Sequence, residues 1–144
     1  PKDNLDTYLS LVEKDEYDIS FGEQHYIWNL WNEDWITRED SHYTIGCIHT
    51  TQGYDMNYVG VIFGKEIDYD PSSNSIVIDL NEYRDKKVKA GMDEDELKKL
   101  IINTYTTILA RGIKGCYVYA CNKNLQNYLK KFIAHANDFS LNNR

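Results

Sequence analysis

The 144-residue chain is 42% hydrophobic with a formal net charge of −7, a composition that suits one globular domain with a sizeable core and excludes a disordered segment. No apolar stretch approaches the length of a membrane span. The acidic balance argues against a free-standing nucleic-acid binder, although it suits one half of a groove whose other half is basic.

In chain order, residues 4–13 place Leu5, Tyr8, Leu9 and Val12 at helical spacing and predict a short amphipathic helix. Tyr17 to Ser20 and Gln24 to Trp28 flank a Phe21-Gly22-Glu23 turn and predict a hairpin. Trp28, Trp31 and Trp35 follow in a polar, acidic stretch. They read as caps on the edge of a core rather than as base-stacking residues. Thr44 to His49 and Tyr58 to Phe63 are near-continuously apolar, as strands covered on both faces are. Lys65 to Asp70 and Ser75 to Leu80 form a second hairpin, turned by Pro71, Ser72, Ser73 and Asn74. Its alternation and charge predict that it projects from the main sheet. Residues 81–92 read as loop.

Asp93 and Glu96 have capping-box spacing at the start of a strong helix, with Leu97, Leu100, Ile101, Tyr105, Ile108 and Leu109 on one face. Gly112 is expected to end it in the left-handed conformation. Gly115 to Ala120 predicts a third buried strand. Asn122 is expected to cap a last helix that buries Leu125, Leu129, Phe132 and Ile133. The tail after His135, residues 136–144, is expected to fray. The simplest architecture is a single three-layer α/β domain over residues 1–144. Its mostly parallel sheet takes Thr44 to His49, Tyr58 to Phe63 and Gly115 to Ala120 as internal strands, with hairpins projecting from it.

Cys47, Cys116 and Cys121 show no Cys-x-x-Cys pair. They point away from a zinc site and a disulfide framework, toward a reducing, cytoplasmic compartment. Cys47 and Cys116 fall within predicted strands and read as small core residues.

Two segments carry candidate chemistry. His49, Thr50, Thr51, Gln52, Gly53, Tyr54 and Asp55 directly follow a predicted strand, where hydroxyls and backbone N–H groups can meet a phosphate or a sugar edge. Gly53 suits close backbone approach, Gln52 a water or phosphate oxygen, and Asp55 a ribose hydroxyl. A capped turn accounts for the same string, with Thr50 or Thr51 as helix cap and His49 as a core side chain. Arg111, in the predicted last turn of a helix, fits an arginine that stabilises a transferring phosphoryl group. It also fits a cation placed to suit the helix dipole, as does Lys114. A hydrolase built on His49 and Asp55 lacks any serine or cysteine nucleophile on a recognisable elbow.

The string from Ile45 to Gly64, with its Gly-Cys-Ile-His-Thr-Thr-Gln-Gly-Tyr-Asp core, and the string from Asn103 to Asn122, with Arg-Gly-Ile-Lys-Gly, resemble the fifth and sixth motifs of superfamily 1 helicases. They look like the C-terminal part of a bacterial DNA/RNA helicase-type family similar to the Schlafen-type helicase group. The resemblance implies the second RecA-like domain of a two-domain ATP-dependent motor of the P-loop NTPase class. His49, Thr50 and Thr51 would touch nucleic acid, Gln52, Gly53 and Asp55 the nucleotide, and Arg111 the γ-phosphate. The family pattern has a threonine where this chain has Ala110. No Gly-x-x-x-x-Gly-Lys-Ser/Thr phosphate loop occurs in the sequence, so the Walker lysine and the magnesium-holding carboxylate would lie upstream. The chain opens on Pro1 without a leader and is expected to be a piece of a longer protein. Its implied partners are an upstream RecA-like domain, DNA or RNA, ATP and Mg in the full-length protein, and no membrane. The piece alone is expected to be inactive and to hold no ATP. The competing reading is a non-catalytic interaction module using the tryptophans and the projecting hairpin.

Overall fold

The computed structural model describes residues 17–21, 23–30, 34–39 and 41–134. The helix expected over residues 4–13, Trp31 and the tail from His135 lie outside the described residues. The chain forms two compact units that divide after Tyr54.

In the first unit, β1 (Ile19–Phe21) and β2 (Gln24–Trp28) form the predicted antiparallel hairpin, with Ile19 opposite Tyr26. The Asp18 carboxylate accepts the Trp28 N–H at 2.8 Å and fastens the hairpin's open end. A third strand, β3 (Thr44–Ile45), joins β2 in parallel, Ile27 lying opposite Thr44. Both of those residues are buried. Trp35 donates its indole N–H to the Thr44 hydroxyl at 2.8 Å and so braces the unit's interior, whereas Trp28 is 47% exposed.

The strand expected over Thr44 to His49 is corrected here. It stops at Ile45, and Ile48–Thr51 form a one-turn helix, α1. Gly46 marks the break. A Cβ there would lie 2.9 Å from Thr50 Oγ1 and 3.0 Å from the Trp35 ring. Cys47, expected inside a strand, is instead the residue before α1.

The second unit is mixed α/β. β4 (Met56–Phe63) and β7 (Gly112–Ala120) pair in parallel, from Met56 opposite Gly112 to Phe63 opposite Ala120. Between them come the antiparallel hairpin β5 (Ile67–Asp70) and β6 (Ser75–Ile78), the short helix α2 (Lys86–Ala90) and the long helix α3 (Glu94–Leu109). Helix α4 (Lys123–Leu129) follows β7. Among the described residues the β4–β7 and β5–β6 pairs form separate sheets and β3 pairs with β2, so the expected single, mostly parallel sheet with three internal strands is not found there.

Asp93 caps α3, its Oδ1 accepting the Asp95 and Glu96 N–H groups at 3.0 and 2.9 Å, and Glu94, Asp95 and Glu96 suit the helix dipole. Leu97 and Ile101, one turn apart, are fully buried, and Tyr105 and Leu109 extend the stripe onto the core of Phe63, Ile67, Tyr69, Ala120 and Leu125. The opposite face of the β4–β7 pair exposes Tyr58 and Tyr117, with ring centroids 6.3 Å apart.

Five further expectations change. Residues 86–90 form α2, because the Asp85 carboxylate accepts the Lys87 and Val88 N–H groups. The second hairpin does not simply project: Ile67 and Tyr69 turn inward, and only its other strand is exposed. Gly112 opens β7 with no left-handed backbone; among the described glycines only Gly53 has positive φ. Asn122 precedes α4 without capping it through its side chain. Its amide instead donates to the Lys65 and Ile67 carbonyls at 2.8 and 2.9 Å. The cap comes from β5, where Asp68 Oδ1 accepts the Leu125 N–H at 2.9 Å. Leu125 is buried, but Phe132 and Ile133 lie beyond α4 and are exposed. Among the described residues, no helix is long and apolar enough to cross a membrane.

Candidate functional site

In the first unit, helix α1 gathers most of the residues that follow Ile45. Thr50 and Thr51 are buried, and both hydroxyls donate to the Cys47 carbonyl, at 2.9 and 3.0 Å. Their oxygens bond backward along the chain, the usual alternative to capping for a threonine inside a helix. His49 is exposed, not a core side chain. Gln52 is exposed, and its N–H donates to the Ile48 carbonyl at 3.0 Å. Gly53 has φ +87° with nothing within 4 Å of where a Cβ would stand. Backbone conformation rather than crowding therefore demands glycine there.

In the second unit, strand register builds the other half of the predicted set. Asp55 immediately precedes Met56, and Arg111 immediately precedes Gly112. Met56 and Gly112 are opposite each other, so the two preceding residues meet at the amino ends of β4 and β7. The Met56 N–H donates to the Arg111 carbonyl at 2.9 Å, and the Arg111 N–H to the Ile108 carbonyl at 3.1 Å. Arg111 Nη1 lies 3.5 Å from Asp55 Oδ1, joining residues 56 positions apart. The arginine side chain is 29% exposed and the aspartate 68%. An ion pair so open to water contributes only about 0–1 kcal/mol to stability. Arg111 stands just past the Ala110 cap of α3, not within its last turn.

At the carboxyl ends of the same strands lies a group that the sequence reading did not single out. Tyr105 donates its hydroxyl to Glu66 and accepts the Gly64 N–H at 2.9 Å. Burial, and then the bond to Glu66, push the phenol above its ordinary range. The Cys121 N–H donates to the Phe63 carbonyl at 2.9 Å, and burial followed by the Glu66 charge raises its thiol. The available signal was Gly64-Lys65-Glu66 directly after a predicted strand, together with a tyrosine on an otherwise aliphatic helix stripe. Among the described residues, no three His, Cys, Asp or Glu side chains are grouped to hold a metal.

The family described as "Schlafen group 3, DNA/RNA helicase domain" matches residues 6–122, well over half of the chain. The chain belongs to this family. The match takes in both the α1 segment and the β4 to β7 region. The Schlafen group 3 domain is also 37% identical over 100 residues to the uncharacterised protein YPL245W of Saccharomyces cerevisiae. That alignment covers 66% of this chain and 22% of the yeast protein, so the domain spans about a fifth of its relative's length. The relative is eukaryotic, where the motif resemblance pointed to bacterial proteins. No solved structure matches the chain.

Proposed function

We propose that this Schlafen group 3 domain is the C-terminal, RecA-like half of an ATP-dependent DNA or RNA helicase or translocase. Arg111 serves as its γ-phosphate sensor. The observation that carries the reading is the meeting of Asp55 and Arg111 at one end of the β4–β7 pair. Family membership supports the helicase-related class.

The residues present suit the edge of a nucleotide. A guanidinium matches phosphate oxygens in charge and geometry. When bound, ATP with its magnesium would supply the phosphoryl group, and water would accept it. Arg111 stabilises charge on that group's oxygens as it transfers, which lowers the barrier more than it tightens binding. The phosphate loop and the magnesium ligand belong to an upstream RecA-like domain of the same protein. In the first unit, exposed His49 and Gln52 are available to nucleic acid or nucleotide. The hydroxyls of Thr50 and Thr51 are committed to the Cys47 carbonyl, so those residues shape the segment. Gly53 provides the left-handed turn.

The experiment is steady-state phosphate release by the full-length protein, with and without single-stranded DNA or RNA. ATP turnover stimulated by nucleic acid is expected. A folded full-length protein that hydrolyses no ATP under either condition contradicts the reading.

A further inference from the structure

We infer that Asp55 is the positioning residue for Arg111: its carboxylate restrains the guanidinium beside the amino ends of β4 and β7 before a phosphate arrives. The inference rests on the proposed role of Arg111 and deepens it.

An arginine side chain carries about 2 kcal/mol of rotamer entropy. A group that acts on charge developing in a transition state must already stand in place, because reorganisation at that moment raises the barrier. The Arg111 main chain is fixed from both sides, its N–H on Ile108 and its carbonyl on Met56. That leaves the side chain to be restrained. Among the described residues, Asp55 is the side chain that pairs with it.

The form of the contact suits such a role. It engages Nη1 alone, at 3.5 Å, rather than both ends of the fork. The remaining N–H donors stay open to phosphate oxygens. A short, buried, bidentate pair would hold the arginine too tightly to exchange partners. Exposure also keeps this pair weak enough to yield to a phosphate. Strand register makes the arrangement reproducible, because Asp55 and Arg111 flank the opposed residues Met56 and Gly112.

The test is a double-mutant cycle in the full-length protein, with melting temperature confirming that each variant is folded. Asp55→Asn should lower kcat by up to about fivefold, the rate equivalent of an exposed ion pair. KM for ATP should not rise. Asp55→Glu should restore most of the rate, and Asp55→Asn should cost nothing further in an Arg111→Ala background. An unchanged kcat, a rise in KM alone, or an equal loss in the Arg111→Ala background overturns the positioning role. The Arg111→Ala protein by itself reports on the underlying reading. If it retains turnover, the sensor fails and the positioning role falls with it. If it loses turnover while Asp55→Asn is normal, only the positioning role falls.

Discussion

The Met56 N–H donates to the Arg111 carbonyl at 2.9 Å, and Met56 lies opposite the next residue, Gly112. This junction ties the start of β4 to the residue that follows α3, and it sets where both Asp55 and Arg111 stand. The pairing then steps from Met56–Gly112 to Tyr58–Gly115, so β7 carries an extra residue and bulges.

The bulge makes Gly112 irreplaceable on steric grounds. A Cβ there would sit 2.3 Å from the Gly115 carbonyl oxygen and 2.9 Å from Val59 Cγ1. Gly112→Ala should destabilise the chain by about 1–3 kcal/mol, as overpacking does. Lys114→Ala, at an exposed position in the same bulge, should stay within about 0.5 kcal/mol. Equal melting temperatures for the two variants would count against this packing.

Tyr105 joins α3 to the turn after β4 through Gly64 and Glu66. Tyr105→Phe keeps the ring against Phe63 but leaves the Gly64 N–H without its acceptor. A loss of about 1–3 kcal/mol is expected by chemical denaturation.

The same phenol sets a pH dependence. Its pKa is raised on folding, by burial first and the Glu66 bond second. Its contribution is therefore complete below about pH 10, the ordinary phenol value, and is lost as pH climbs from there through the folded value. Denaturation of wild type and Tyr105→Phe between pH 8 and about 11 should show wild type losing more stability in the upper part of that range. Parallel curves would contradict it.

Helix α4 takes its cap from another element. Asp68→Ala removes the acceptor for the Leu125 N–H and should cost about 0.5–2 kcal/mol, measurable by thermal melting. Asn122→Ala releases the Lys65 and Ile67 carbonyls and should cost about 1 kcal/mol. An Asn122 variant as stable as wild type would show that the two bonds contribute nothing net.

What the sequence revealed follows physical lines. Helix α3 was legible because an aspartate cap, an acidic first turn and a 3.6-residue apolar stripe all agree. Tyr58 to Phe63, Gly115 to Ala120 and both hairpins were legible from apolar runs bounded by turn residues. Thr44 to His49 misled because a short apolar run does not distinguish strand from helix. There the outcome turned on contacts around Gly46 and on the Thr50 and Thr51 bonds to Cys47. Asp55 and Arg111 were each legible as candidates. Their pairing was not, because it depends on strand register. The Asn122 and Asp68 bonds were hidden for the same reason: residues more than fifty positions apart supply them.

The measurement that bears most directly on the central claim is ATP affinity and turnover of the full-length Arg111→Ala protein, read beside its melting temperature. ATP affinity should remain close to wild type while turnover falls on the order of 10³-fold or more, and Arg111→Lys should rescue little because an ammonium lacks the planar fork. A cation serving only the helix terminus would instead cost about 0.3–1 kcal/mol of stability and leave turnover alone. Normal turnover in a folded Arg111→Ala protein would contradict the account.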